Sequence, residues 1–229
     1  MRGRVPESTV RTPRDLAPFL DHTLLAPGAT EAEVARLCEE ARAHGFGAVC
    51  VRAGFVPAAR RLLAGSTSRI AAVVDFPLGE AACAARLEEA REAVRLGADE
   101  LDLVAPLPLV RAGRWGEVFD DLRGVILAAG VPVKVILETG LLGRDAKVAA
   151  AAVARAAGAA FVKTSTGYSA GGATVEDVAL LRAVVGDAVG VKASGGIRSA
   201  DDALAMLRAG ASRIGASSSV AIVGGTFRR

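Results

Sequence analysis

From residue 45 onward the chain repeats one pattern: an alanine-rich helical stretch, a glycine, then a short β-branched run. Examples are LGADELDLV at 96–104, AGVPVKVILET at 129–139, AGAAFVKTST at 157–166 and AGASRIGASSS at 209–219. The glycines suit helix ends, where a left-handed residue closes the last turn. The apolar runs read as strands buried on both faces, the mark of a parallel sheet. TEAE at 30–33, TVED at 174–177 and SADD at 199–202 mark helix starts by a capping box or its Asp variant.

Strands are expected near Phe19–His22, Ala48–Arg52, Ile70–Phe76, Glu100–Val104, Val133–Glu138, Phe161–Thr164, Val189–Ala193 and Arg213–Gly215. Eight strands alternating with helices in 229 residues predict a compact α/β fold, the (β/α)₈ barrel. The alternative is an open doubly wound sheet. That fold would more naturally show fewer strands and a Gly-rich dinucleotide loop after the first. No GxGxxG follows an early strand here, and no GxxxxGK[ST] occurs. Residues 15–229 are read as one catalytic domain, and residues 1–14 as a flexible N-terminal arm.

The 28 basic and 25 acidic residues are too evenly balanced and scattered to suggest nucleic acid, and aromatics for base stacking make up only 4%. The opening MRGRVPESTVRTPRD is polar and lacks an apolar core, so no signal peptide is expected. Charges or glycines interrupt every apolar run before it reaches membrane-spanning length. Cys38, Cys50 and Cys83 show no CxxC spacing, which suggests reduced thiols in a cytoplasmic protein. His22 and His44 form no zinc motif and read as structural or surface residues. No metal and no cofactor are expected. The chain is expected to form a homo-oligomer, most simply a dimer.

Barrel chemistry sits at the C-terminal strand ends. Polar residues collected there are Asp21 and Thr23, Cys50 and Arg52, Asp75, Glu100 and Asp102, Lys134 and Glu138, Lys163 and Lys192. Lys163 lies in an otherwise buried strand, where an isolated ammonium costs several kcal/mol, roughly, unless paired or deprotonated. Lys192 falls on the next strand, about 4.8 Å away. Burial and like charge both lower a lysine pKa, and a value near roughly 7–8 would leave a free amine that attacks carbonyls. A structural ion-pair network with Asp102, Glu138 and Asp21 is the other reading. Asp102 could serve such a network or shuttle protons. Cys50 reads as a small buried wall residue.

The loop SGGIRSADD and the strand end GASSS fall where barrels bind phosphate: glycines expose backbone N–H groups, and helix N-termini favour anions. Ser217 and Ser218 can add hydroxyls, and TGYSAGG can add N–H donors. GYSAG at 167–171 fits the GxSxG hydrolase pattern, but both histidines precede Ser169, against the Ser, acid, His order of that triad.

The blocks LDHTLL, VCVR, VVDFPLG, GADELDLV, VKVILETGLL, FVKTSTGYSAGGAT, VKASGGIR and GASSS, in this order and spacing, resemble the deoxyribose-phosphate aldolases, a class I aldolase family. The resemblance runs from residue 20 to residue 219 and implies a metal-free (β/α)₈ lyase. Such an enzyme reversibly cleaves 2-deoxy-D-ribose 5-phosphate to acetaldehyde and D-glyceraldehyde 3-phosphate. It implies Lys163 as the Schiff-base lysine, Lys192 as the neighbour that lowers its pKa, and Asp102 as the proton-transfer residue working with a water. Asp21 and Thr23 would line the sugar pocket, with Cys50 at its wall. Gly167, Gly195, Gly196, Ser217 and Ser218 would hold phosphate. The chain departs from the family in LVAPLPLVRAGRW at 103–115, where Ala105, Pro106 and Pro108 replace the Asn and Gly of many members and stiffen a loop beside the site. Another lysine-using sugar-phosphate lyase and a silent sugar-phosphate binder remain the alternatives.

Overall fold

Eight short parallel strands pair in chain order and the eighth closes on the first, making a complete barrel. The computed structural model describes residues 3–169 and 171–227. Residues 1 and 2 of the expected arm, Ala170 of the loop TGYSAGG, and residues 228 and 229 lie outside the described residues.

The strands are β1 (Leu20–Thr23), β2 (Ala48–Val51), β3 (Arg69–Val74), β4 (Glu100–Val104), β5 (Val133–Ile136), β6 (Phe161–Lys163), β7 (Gly190–Ser194) and β8 (Arg213–Ala216). Between and after them run α1 (Glu31–His44), α2 (Val56–Leu62), α3 (Cys83–Arg95), α4 (Leu107–Arg111), α5 (Trp115–Ala129), α6 (Arg144–Ala157), α7 (Val175–Val185), α8 (Ala200–Ala209) and α9 (Ser219–Gly224). The expected barrel is thus observed, and each expected strand is found within a residue or two. The expected helix starts are found too. Thr30 and Ser199 cap α1 and α8 with full capping boxes, and the Thr174 hydroxyl accepts from Asp177 N at α7. Gly45, Gly130, Gly158 and Gly210 close α1, α5, α6 and α8 in left-handed conformation.

Strand side chains alternate between the two faces of the barrel wall. The outward set, among them Val49, Val51, Ile70, Leu101, Leu103, Val133, Val135, Val191 and Ile214, forms the main core beneath the helices. Val10 is buried in that core, and Val5 packs against it. The inward set differs in kind. On β2 and β3 it is small and apolar, with Cys50, Ala71 and Val73 clustered with Leu25 apart from the main core. On the remaining strands it is charged: Asp21, Glu100, Asp102, Lys134, Lys163, Lys192 and Arg213 are all buried. Two glycines make room for the long side chains. A Cβ on Gly190 would lie 2.0 Å from the Phe161 ring, and one on Gly215 would lie 3.0 Å from Lys192 Cε.

Above the barrel, Pro106 and Pro108 begin α4 rather than an open loop. Leu107 N donates to Gly79 O, joining this segment to the loop after β3.

Candidate active site

Lys163 ends β6 and pairs in register with Lys192 of β7. Their ammonium groups do not face each other unscreened. Lys163 Nζ donates to Asp102 Oδ2 at 2.7 Å, and Lys192 Nζ donates to the same oxygen at 2.8 Å. Lys192 also donates to Asp21 Oδ2 at 2.5 Å. Lys134 Nζ donates to Asp102 Oδ1 at 3.0 Å and lies 2.6 Å from Glu100 Oε2. Arg213 closes the cluster on Asp21 Oδ1 at 3.1 Å.

Both readings of the lysines therefore meet in one cluster. Asp21 and Asp102 are ion-pair partners, but Glu138 is not. Its carboxylate accepts from Thr166 N at 3.2 Å and from Thr166 Oγ1 at 2.6 Å. Glu138 itself stands in left-handed conformation, φ 56°, and these bonds hold the loop after β6. Glu100 begins β4, at the barrel's N-terminal end, where its Oε1 also takes Arg69 Nη1 at 2.6 Å. It and Lys134 lie below the site, not at the mouth where the strand ends were expected to gather them.

Burial pushes the Asp102 carboxyl up, but Lys134, Lys163 and Lys192 outweigh it and hold it well below the ordinary range. Burial acts the same way on Asp21, where Lys192, Arg213 and Lys134 bring it down to about 2. Lys192 is pushed down by burial and raised above its usual value by Asp102 and Asp21. It is thus a fixed positive charge next to Lys163. Among the side chains buried inside the barrel, the cations Lys134, Lys163, Lys192 and Arg213 meet the carboxylates Asp21, Glu100 and Asp102. Loss of one proton balances this set, and Lys163 is the cation that reaches the pocket.

That pocket, about 370 Å³, opens at the C-terminal strand ends. Of the expected site residues, Thr23, Lys163, Gly167, Gly195, Gly196 and Ser217 line it. Asp21, Asp102 and Lys192 lie beneath Lys163 in the barrel. Cys50 is buried with Sγ 4.0 Å from Asp102 Oδ2. Burial, then the Asp102 charge, pushes this thiol up to about 11, which suits a wall rather than a nucleophile. Ser218 is not in the lining; it is the N-cap residue of the short α9. Gly195, at φ 92°, lies so close to the loop after β6 that a Cβ on Gly172 would meet Gly195 O at 2.6 Å.

Residue patterns did not single out Thr166, Tyr168, Ser194, Ile197 or Arg198, which also line the pocket, nor Leu24, Leu25 and Ala26. Thr166 and Ser194 could have been suspected from their place beside the lysines. Asp75 is engaged elsewhere: its Oδ2 takes the fully buried Arg86 Nη1 at 2.5 Å. His22 pairs with Glu40 at 2.8 Å on the outer face of β1, and His44 stacks on Phe46.

A closed (β/α)₈ barrel with a pocket-lining lysine set on a buried carboxylate defines a class, the barrel enzymes built around an amine. The comparisons narrow it. The family model for DeoC/LacD family aldolases matches residues 17–225, and the chain belongs to that family. It is similar to the deoxyribose-phosphate aldolase of Actinobacillus succinogenes, 47% identical over 93% of this chain and 96% of the relative. It is equally similar to that of Caldanaerobacter subterraneus, 47% identical over 91% and 92% of the two chains. The deoxyribose phosphate aldolase of Aeropyrum pernix, described as a unique tetrameric structure, superposes with a TM-score of 0.87 at 37% identity, over 95% of this chain and 93% of that one.

Proposed function

We propose that this chain is a Schiff-base lyase that reversibly cleaves 2-deoxy-D-ribose 5-phosphate to acetaldehyde and D-glyceraldehyde 3-phosphate. The carrying observation is the Lys163 amine at the pocket floor, bonded to the same Asp102 oxygen as Lys192. The names of its relatives support the substrate.

The neutral Lys163 amine adds to the substrate's C1 carbonyl, and loss of water leaves an iminium. The C2–C3 bond then breaks, its electron pair passing through C1 to the iminium nitrogen and leaving an enamine. The C3 hydroxyl loses its proton through a water to Asp102, and C3 becomes the aldehyde of D-glyceraldehyde 3-phosphate. C2 of the enamine takes a proton, and water releases acetaldehyde and the amine. The iminium keeps the positive charge of the ammonium it replaces, so Asp102 stays paired through that step. Lys192, held charged on the same oxygen, is the neighbouring acid.

The phosphate is held by the N–H groups and side chains about Gly167, Gly195, Gly196, Arg198 and Ser217, at the β6, β7 and β8 ends. Thr23 lines the sugar side. Asp21 acts from beneath by fixing Lys192, and Ser218 supports the phosphate loop through the start of α9. No metal or cofactor enters this scheme, because the iminium is the electron sink.

The working protein is a homo-oligomer in this reading. Leu78 and Leu127 stand 60% and 66% exposed and suit subunit contacts, and the Aeropyrum pernix relative is described as tetrameric. Sedimentation would separate a dimer from a tetramer. Three free cysteines suit a reducing cytoplasm. The decisive experiment is turnover of deoxyribose 5-phosphate by the purified protein, with both aldehydes measured. No release of acetaldehyde would remove the assignment.

A further inference from the structure

Two aromatic rings meet across the barrel mouth. Phe76 follows β3 and Tyr168 follows β6, strands that stand three apart in a ring of eight. Their centroids are 5.3 Å apart with planes at 88°, the favourable edge-to-face arrangement. Each ring is anchored. Arg52 stands over Phe76 at 5.8 Å from its centroid, and Arg52 Nε donates to Leu25 O at 3.1 Å. Tyr168 N donates to Thr166 Oγ1 at 3.1 Å, and Thr166 is in turn held by Glu138.

Beneath Phe76 lies the inner apolar cluster of Leu25, Cys50, Ala71 and Val73. It starts one carboxylate away from the reactive amine, since Cys50 Sγ and Lys163 Nζ both approach Asp102 Oδ2. The opposite end of the pocket is built of glycines, hydroxyls and Arg198. The site thus has a polar end for the phosphate and an apolar end roofed by the ring pair. In the enamine formed on Lys163, C2 carries only hydrogens. An alkyl group placed there would need space in the apolar end, which Phe76 and Tyr168 close.

We propose that the Phe76–Tyr168 contact is the wall that sets the size of the donor aldehyde, admitting two carbons and excluding branched or longer donors. This rests on the Schiff-base reading of Lys163 and adds to it the two residues that determine donor specificity.

The test is aldol addition to D-glyceraldehyde 3-phosphate by the full chain, with acetaldehyde and propanal as alternative donors. The readout is the ratio of kcat/KM for propanal to that for acetaldehyde. Tyr168→Ala and Phe76→Leu are expected to raise this ratio by about tenfold or more, the scale of one methyl group in an apolar pocket. Tyr168→Phe keeps the ring edge and is expected to hold the ratio within about twofold of wild type. Tyr168 is 48% exposed, so its variants decide the matter even if Phe76→Leu fails to fold. An unchanged ratio in Tyr168→Ala, with wild type cleaving deoxyribose 5-phosphate, overturns the wall and leaves the lyase reading standing. A rise in Tyr168→Phe equal to that in Tyr168→Ala also overturns it, since the hydroxyl would then be responsible. A wild type that cleaves nothing brings down both.

Discussion

Lys163 and Lys192 share one acceptor, Oδ2 of Asp102, at 2.7 and 2.8 Å. A single buried oxygen therefore keeps two ammonium groups on adjacent strands. Without it the two like charges would stand in the barrel with no counterion, at a cost of several kcal/mol, roughly. The same oxygen is placed to follow the charge on Lys163 as the amine becomes an iminium and then a neutral enamine.

Asp102→Asn is expected to damage both stability and chemistry. It removes the anion on which Lys134, Lys163 and Lys192 all converge. Breaking a buried ion pair from one side typically costs about 3–5 kcal/mol. Loss of a positioned proton-transfer group typically lowers the rate by about 10²–10⁴. Urea unfolding and turnover would report the two effects. Adding Lys134→Met should recover part of the stability and none of the rate. Full activity in a folded Asp102→Asn protein would exclude Asp102 from the proton transfer.

Acid should unfold the protein through the same cluster. Asp21 is held at about 2 and Asp102 also lies below the ordinary range, while an unfolded aspartate titrates near about 3.9. Because the folded values are depressed, the unfolded chain takes up protons first. The contribution of both groups is whole above about pH 4 and is lost as pH falls through about 2. Lys192→Met removes the cation that both carboxylates share, so their folded values rise and the acid midpoint moves to higher pH. Circular dichroism followed against pH would show the shift. An unmoved midpoint in this variant would mean that Lys192 does not hold them down.

Much of this could be read from residue order, and the remainder has a physical reason for being hidden. The barrel was legible because helix-capping glycines and β-branched runs repeat with one period. Lys163, Lys192 and Asp102 were legible because a charge inside an apolar run demands a partner. Arg213 and Lys134 lie in similar runs, but the inside of a barrel looks the same as its mouth until the register is known. Glu100 and Asp102 are two residues apart on one face, yet one belongs to the floor and the other to the site. Arg198 and Tyr168 lie in loops, where polar and aromatic residues carry no period. The meeting of Phe76 with Tyr168 depends on how strands far apart in the chain sit in the ring, and no local pattern encodes that. The two-lysine picture was incomplete for a related reason: spacing showed that the ammonium groups are neighbours but not that Asp102 stands between them.

Ser217 and Ser218 are expected to differ. Ser217 lines the pocket, whereas Ser218 caps α9. Ser217→Asp would set a carboxylate against the phosphate, a like-charge contact worth several kcal/mol, roughly. The kcat/KM for deoxyribose 5-phosphate should fall by about 10²-fold, and that for unphosphorylated deoxyribose far less. Ser218→Asp should have the smaller effect, since an aspartate is accepted at a helix N-cap. Equal losses on the two sugars in Ser217→Asp would argue against a phosphate role.

Activity is expected to survive dialysis against a chelator unchanged. The iminium accepts the electron pair of the breaking bond, so the scheme leaves no step for a Lewis acid. Loss of turnover that a divalent ion restores would contradict the lysine mechanism.

Lys163 should be the residue that a reductant traps. If its amine condenses with substrate, borohydride will reduce the iminium to a stable secondary amine and end activity. With acetaldehyde the product is an ethyl group on one lysine, and peptide mapping should place it in FVKTSTGYSAGG. Three lysines compete inside the barrel, and their settings differ. Lys134 and Lys192 are fully buried, and each approaches more than one carboxylate. Lys163 is 3% exposed, meets Asp102 alone and lines the pocket. A carbonyl can therefore reach Lys163 without dismantling the cluster, but it cannot reach the other two. Surface lysines react slowly with free aldehyde, so the label must also be close to one per chain, dependent on substrate, and absent from Lys163→Ala. Labelling confined to Lys192 would exchange the roles of the pair. Continued turnover with no specific label would end the Schiff-base reading.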